Sequence, residues 1–200
     1  SDALIEDTGS MYVGNDPSST TSNANYNLAV GTTAMDAITQ GDKNTGVGYN
    51  ALTTNTTGEG NTALGYESLK ENASGGYNVA IGNNALEKNI GGYNTAVGNS
   101  SLTAKVAGGY NTAIGHTAGN SITSGTNNVL IGHLSDASTT TPTNQVVIGQ
   151  AAIGQADNSV TLGNASVTSV FMAQDTGATV YTAGISLAND ETITNATDGT

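Results

Sequence analysis

The stretch "GGYNTAVGNSSL", Gly91–Leu102, carries no obviously reactive group, yet near copies of its centre recur along the chain. Reading Asn-x-small-apolar-Gly gives "NLAVG" (27–31), "NTGVG" (44–48), "NTALG" (61–65), "NVAIG" (78–82), "NTAVG" (94–98), "NTAIG" (111–115) and "NVLIG" (128–132). Degenerate copies stand at "SMYVG" (10–14), "QVVIG" (145–149) and "SVTLG" (159–163). The closing glycines are Gly14, Gly31, Gly48, Gly65, Gly82, Gly98, Gly115, Gly132, Gly149 and Gly163, spaced 17, 17, 17, 17, 16, 17, 17, 17 and 14. The deletions fall in connectors, as where "EKNIGGY" (87–93) replaces the "KENASGGY" (70–77) type, so the five-residue core is the fixed structural unit.

A second short apolar element follows each glycine: Ala34-Met35, Ala51-Leu52, Ser68-Leu69, Ala85-Leu86 and Ser101-Leu102. Each repeat therefore reads as two short strands and two turns, with Gly, Ser, Thr and Asn in "TTNTTGEG" (53–60), "SGG" (74–76) and "AGG" (107–109) supplying the turn chemistry. No segment between glycines shows the 3, 4 and 7 spacing of a helix. Two strands per 17 residues match one coil of an all-β parallel solenoid or roll, with successive coils about 4.8 Å apart.

Equivalent side chains then stack in columns. The recurrent Asn27, Asn44, Asn61, Asn78, Asn94, Asn111 and Asn128 are expected to form an amide ladder that satisfies turn backbone. Strand alternation separates Ala and Gly from a Thr or Val position and from an apolar column of Val30, Val47, Leu64, Ile81, Val97, Ile114, Ile131, Ile148 and Leu162. That column either fills the roll or lies outside under other chains, because long exposed apolar stripes are uncommon on monomers.

Composition narrows the function. With 200 residues, 36% of them hydrophobic, no Cys, no Trp and one Phe, the chain lacks material for the thick core of an ordinary enzyme domain. At 10% charged residues it does not look disordered either. A net charge of −12, with four Lys and no Arg, argues against nucleic acid or anionic membrane as partner. No apolar run reaches the roughly 18 residues of a membrane helix, so no membrane insertion is expected of this segment. The start "SDALIEDTG" is unlike a signal peptide, and the reading expects a longer parent protein.

At "NTAVGNSSL", "NVAIGNNAL" and "NTALGYESL" the chain resembles the head repeats of trimeric autotransporter adhesins of the YadA type, which are similar to repeats in bacteriophage tail-fibre and other virion proteins. The resemblance covers roughly residues 27–164. It implies a left-handed parallel β-roll that forms a homotrimer, with hydrophobic strand residues buried between three chains. The connectors here are longer than in autotransporter heads, and neither a coiled-coil stalk nor an anchor barrel is visible. The reading therefore favours an extracellular virion fibre or filament segment over a bacterial autotransporter head. The expected organisation is an N-terminal β-hairpin cap over residues 1–14, repeats over 15–164, a C-terminal β-hairpin module over 165–188 and a linker over 189–200.

The expected role is non-enzymatic: a rigid shaft, paired with copies of itself, that presents connectors to a host-surface glycan or protein. No cofactor is implied. His116 and His133, the only histidines, each follow a repeat glycine and lie 17 apart, which makes them candidate metal ligands in neighbouring coils. Tyr77, Tyr93 and Tyr110 form one tyrosine column and Tyr49 with Tyr66 another; the first is a candidate glycan contact, though stacked tyrosines also cover one another. "VGNSSL" and "IGHTAG" partly match the hexapeptide repeats of left-handed β-helix acyltransferases, but the apolar-Gly step occurs once per coil and no catalytic His is singled out. Calcium-binding solenoids need a periodic Asp, which is missing, and ice binding needs an unbroken Thr rank, which Leu28, Val79 and Val129 interrupt.

Overall fold

A computed structural model of the chain describes residues 3–5, 9–14, 17, 23–104 and 106–170. Among these it contains eleven three-residue strands: β1 (Ala3–Ile5), β2 (Met11–Val13), β3 (Leu28–Val30), β4 (Thr45–Val47), β5 (Thr62–Leu64), β6 (Val79–Ile81), β7 (Thr95–Val97), β8 (Thr112–Ile114), β9 (Val129–Ile131), β10 (Val146–Ile148) and β11 (Val160–Leu162). They form one sheet in sequence order. β1 and β2 are antiparallel, with Ala3 opposite Val13. From β2 onward every pairing is parallel and in repeat register, so Ala63 lies beside Ala80 and Ala80 beside Ala96. The chain is an all-β solenoid of about 17-residue coils. It divides after Val167 into two compact units, and everything past residue 170 of the expected C-terminal hairpin module and linker lies outside the described residues.

The alternation resolves the question of which face is inside. The middle residues of β3 and of β5 to β10, Ala29, Ala63, Ala80, Ala96, Ala113, Leu130 and Val147, are fully buried. Opposite this column sit Met35, Leu52, Leu69, Leu86 and Leu102, also fully buried, so the core is a thin seam of small strand residues against long turn residues. Volumes compensate along the stack: where the turn position becomes Gly119 and then Asp136, the strand centre grows to Leu130 and Val147.

The second apolar element is not a strand. Residues 32–37 and their equivalents form turns, and Met35, Leu52, Leu69, Leu86 and Leu102 adopt left-handed φ of 50–54°. The residue two before each, such as Glu67 or Asn84, is left-handed as well. Such conformations cost a non-glycine residue about 1–2 kcal/mol each. Inter-coil hydrogen bonds and burial of the leucines offset that cost: Leu52 N–H donates to Ser68 O at 3.1 Å and Leu69 N–H to Ala85 O at 3.1 Å.

The repeat glycine is forced by two constraints at once. From Gly31 to Gly149 its φ lies at 133–139°, a region closed to L side chains. A Cβ on Gly65 would also lie 2.6 Å from the carbonyl carbon of Gly82 in the next coil. Gly65→Ala should therefore destabilise the chain by more than about 3 kcal/mol, among the larger single-residue effects. Denaturant melts check this, with Asn83→Ala on the exposed surface expected to change stability by less than about 0.5 kcal/mol.

Candidate functional site

The expected asparagine ladder exists and is buried. Each Asn N–H donates to the side-chain oxygen of the ladder residue one coil earlier, from Asn44 on Asn27 Oδ1 at 2.8 Å to Asn128 on Asn111 Oδ1 at 3.2 Å. Ser10 starts the column, its hydroxyl accepting from Asn27 N–H at 3.0 Å, and Gln145 ends it. Each Nδ2 reaches across its own coil to a connector carbonyl, as Asn61 to Gly75 and Asn94 to Gly108, both at 2.9 Å. One amide thus joins two coils and closes its own.

A second buried column, Asn55, Asn72 and Asn89, was not recognised from the sequence. Their Nδ2 groups donate to Gly58, Gly75 and Gly91 carbonyls at 2.8–3.0 Å, and Asn89 also donates to Asn72 Oδ1 at 2.9 Å. The signal was their position seven residues past Gly48, Gly65 and Gly82, where neighbouring coils carry Ile38 and Ile122. In the sequence they stand among other polar connector residues.

The candidate surface is the outward face of the strands. Leu64, Ile81, Ile114, Ile131, Ile148 and Leu162 are 36–48% exposed, uncovered by the other described residues. Val30, Val47 and Val97 are half-buried in the same column. Nine rungs at about 4.8 Å give an apolar stripe about 40 Å long. Thr45, Thr62, Thr95 and Thr112 run beside it, half-buried.

Flanking the stripe, the residue after each glycine is exposed from Thr32 through Gln150. The register Ile114 beside Ile131 carries His116 next to His133, with ring centres 5.2 Å apart and planes tilted by 36°. In the same column Tyr49 and Tyr66 stack at 5.4 Å and 16°. On the other side, Tyr77, Tyr93 and Tyr110 stack at 5.1 and 4.9 Å with planes within 12°. All three hold left-handed φ of 57–61° just before the ladder Asn, a position shared by Lys43, Asn127 and Asn144. Their faces are turned to each other, which leaves their edges to solvent.

The connectors are not projecting loops. They stack coil on coil through their backbones, as in Thr56 N–H to Ala73 O at 2.9 Å, Glu71 N–H to Glu87 O at 2.8 Å and Ala107 N–H to Thr123 O at 2.7 Å. A groove of about 530 Å³ beside β11, lined by Ala151, Ile153, Gln155, Thr161 and Ser166 among others, holds no ionisable side chain. Among the described residues no three His, Cys, Asp or Glu gather into one cluster, and no helix is long and apolar enough to cross a membrane. No protein-family model matches the sequence, and comparisons with curated proteins and with solved structures found no match. The resemblance to YadA-type heads rests on the repeat residues alone.

Tyr77 donates its hydroxyl to Glu59, and this hydrogen bond, followed by the carboxylate's charge, raises its ionisation above the ordinary value of 10.0. Glu67 raises Tyr66 in the same way. Because the folded chain favours the protonated phenol, the Tyr77 contribution is complete below the unfolded value and is lost as pH rises through the folded one. A spectrophotometric titration should show late-ionising tyrosines, and Glu59→Gln should return one to the ordinary range. An unchanged curve would remove the Tyr77–Glu59 bond from the account.

Proposed function

We propose that this chain is a non-enzymatic shaft segment of an extracellular fibre or filament that works as a homotrimer, three chains burying their outward strand faces against one another. The observation that carries the reading is the apolar stripe from Val30 to Leu162, continuous over nine coils, with Val30, Val47 and Val97 half-buried and the other six residues exposed on the single chain. Monomeric proteins rarely present so long a contiguous apolar surface, whereas symmetric self-association buries it without a second gene product. The resemblance of the repeat to trimeric adhesin heads and tail-fibre repeats points the same way. A virion tail fibre or surface filament is the setting it favours.

Attachment to a cell-surface glycan or protein would then use the stacked connector edges, the surface of the coil farthest in composition from the stripe. The net charge of −12 keeps such a shaft soluble and away from nucleic acid. Its rigidity comes from coil-to-coil bonding.

Native mass measurement on the purified chain tests the assembly: a trimer is expected, and a stable monomer would overturn it. Ile114→Asp with Ile131→Asp places carboxylates on the exposed stripe while leaving the buried strand centres Ala113 and Leu130 intact. That variant should run as a folded monomer with unchanged circular dichroism. A double variant that remains trimeric would show that another surface holds the chains.

A further inference from the structure

Two imidazoles occupy adjacent rungs of a rigid sheet, and the geometry points to an intrachain binding site for a transition-metal dication at His116 and His133. Their positions are set by the paired strands β8 and β9, and both side chains are exposed. Neither ring makes a side-chain hydrogen bond among the described residues; the polar contacts at these positions are to backbone oxygens, as Leu134 N–H to His116 O and Ala151 N–H to His133 O. The nitrogens are therefore available as ligands.

The spacing set by adjacent coils is compatible with one shared ion. With a metal about 2.1 Å from each nitrogen, and each nitrogen about 1.1 Å from its ring centre, two rings meeting a metal at 90–109° have centres about 4.5–5.2 Å apart. The observed separation is 5.2 Å. The tilt of 36° also sets this pair apart from the near-parallel tyrosine stacks at 5–16°. Side-chain rotation at two exposed residues can turn one nitrogen of each ring toward a common point without moving the backbone.

Imidazole pairs select borderline cations, Cu²⁺, Ni²⁺ and Zn²⁺, over oxygen-preferring Mg²⁺ and Ca²⁺. No third His, Cys, Asp or Glu joins the pair among the described residues, so the remaining positions fall to water or an added ligand. The bound ion would clip two coils together across 17 residues of chain. The site lies within one chain and does not depend on the trimer.

The test is equilibrium dialysis and calorimetry of the untagged chain with Zn²⁺, using Mg²⁺ as control. One saturable Zn²⁺ per chain is expected, with no competition from excess Mg²⁺ and a higher melting temperature in Zn²⁺. His116→Asn and His133→Asn copy Asn99 and Asn83 of the same column, so both should fold. Each should weaken binding by at least the roughly tenfold that follows loss of even an indirect partner, and should abolish the thermal shift. Absence of saturable binding, binding unchanged in either variant, or one ion per three chains would overturn the intrachain site.

Discussion

Everything in this fold depends on a buried primary amide that bonds in two directions. Three-residue strands give each coil few ladder bonds, and a seam of alanines gives it little apolar burial. Turns and connectors add backbone bonds between coils. The asparagine column adds a buried side-chain tie at each one: Oδ1 accepts from the coil above while Nδ2 fastens the connector of the same coil. A buried amide is stable only when its hydrogen-bonding capacity is met, and here the repeat meets it at every level. The glycine column is the complement, since coils tied this closely leave no room for a Cβ at the corner after the strand.

The same economy explains the face presented to the surroundings. Because the seam opposite Met35 and the leucines takes alanine at most strand centres, the Val, Ile and Leu at the end of each strand point outward. What a globular domain would use as core becomes surface. The aromatic and imidazole columns beside the stripe are consequences of the same register.

The sequence displayed whatever repeats in both residue and spacing. The period, the Asn27 to Asn128 ladder, the repeat glycines and the pairing of His116 with His133 were all legible, because stacking makes sequence period equal to spatial neighbourhood. What was illegible depended on local conformation. Leu52 and Leu86 look like strand residues, and only the tertiary stack makes left-handed φ tolerable for them, against their own preference. Asn55, Asn72 and Asn89 were hidden because a buried asparagine and a solvated turn asparagine have the same letter. The inward face could not be assigned from alternation, since Ala and Val are both compatible with a core. The volume of Met35 and the leucines opposite decided it.

The most direct test of the central claim is the denaturant stability of Asn94→Ala. Removing this amide orphans the Asn111 N–H and the Gly108 carbonyl, both bonded to it in the interior. The expected loss is at least about 2 kcal/mol from unsatisfied buried groups. If Asn94→Ala instead matched the stability of the exposed Asn83→Ala, the ladder would not be what holds the coils together.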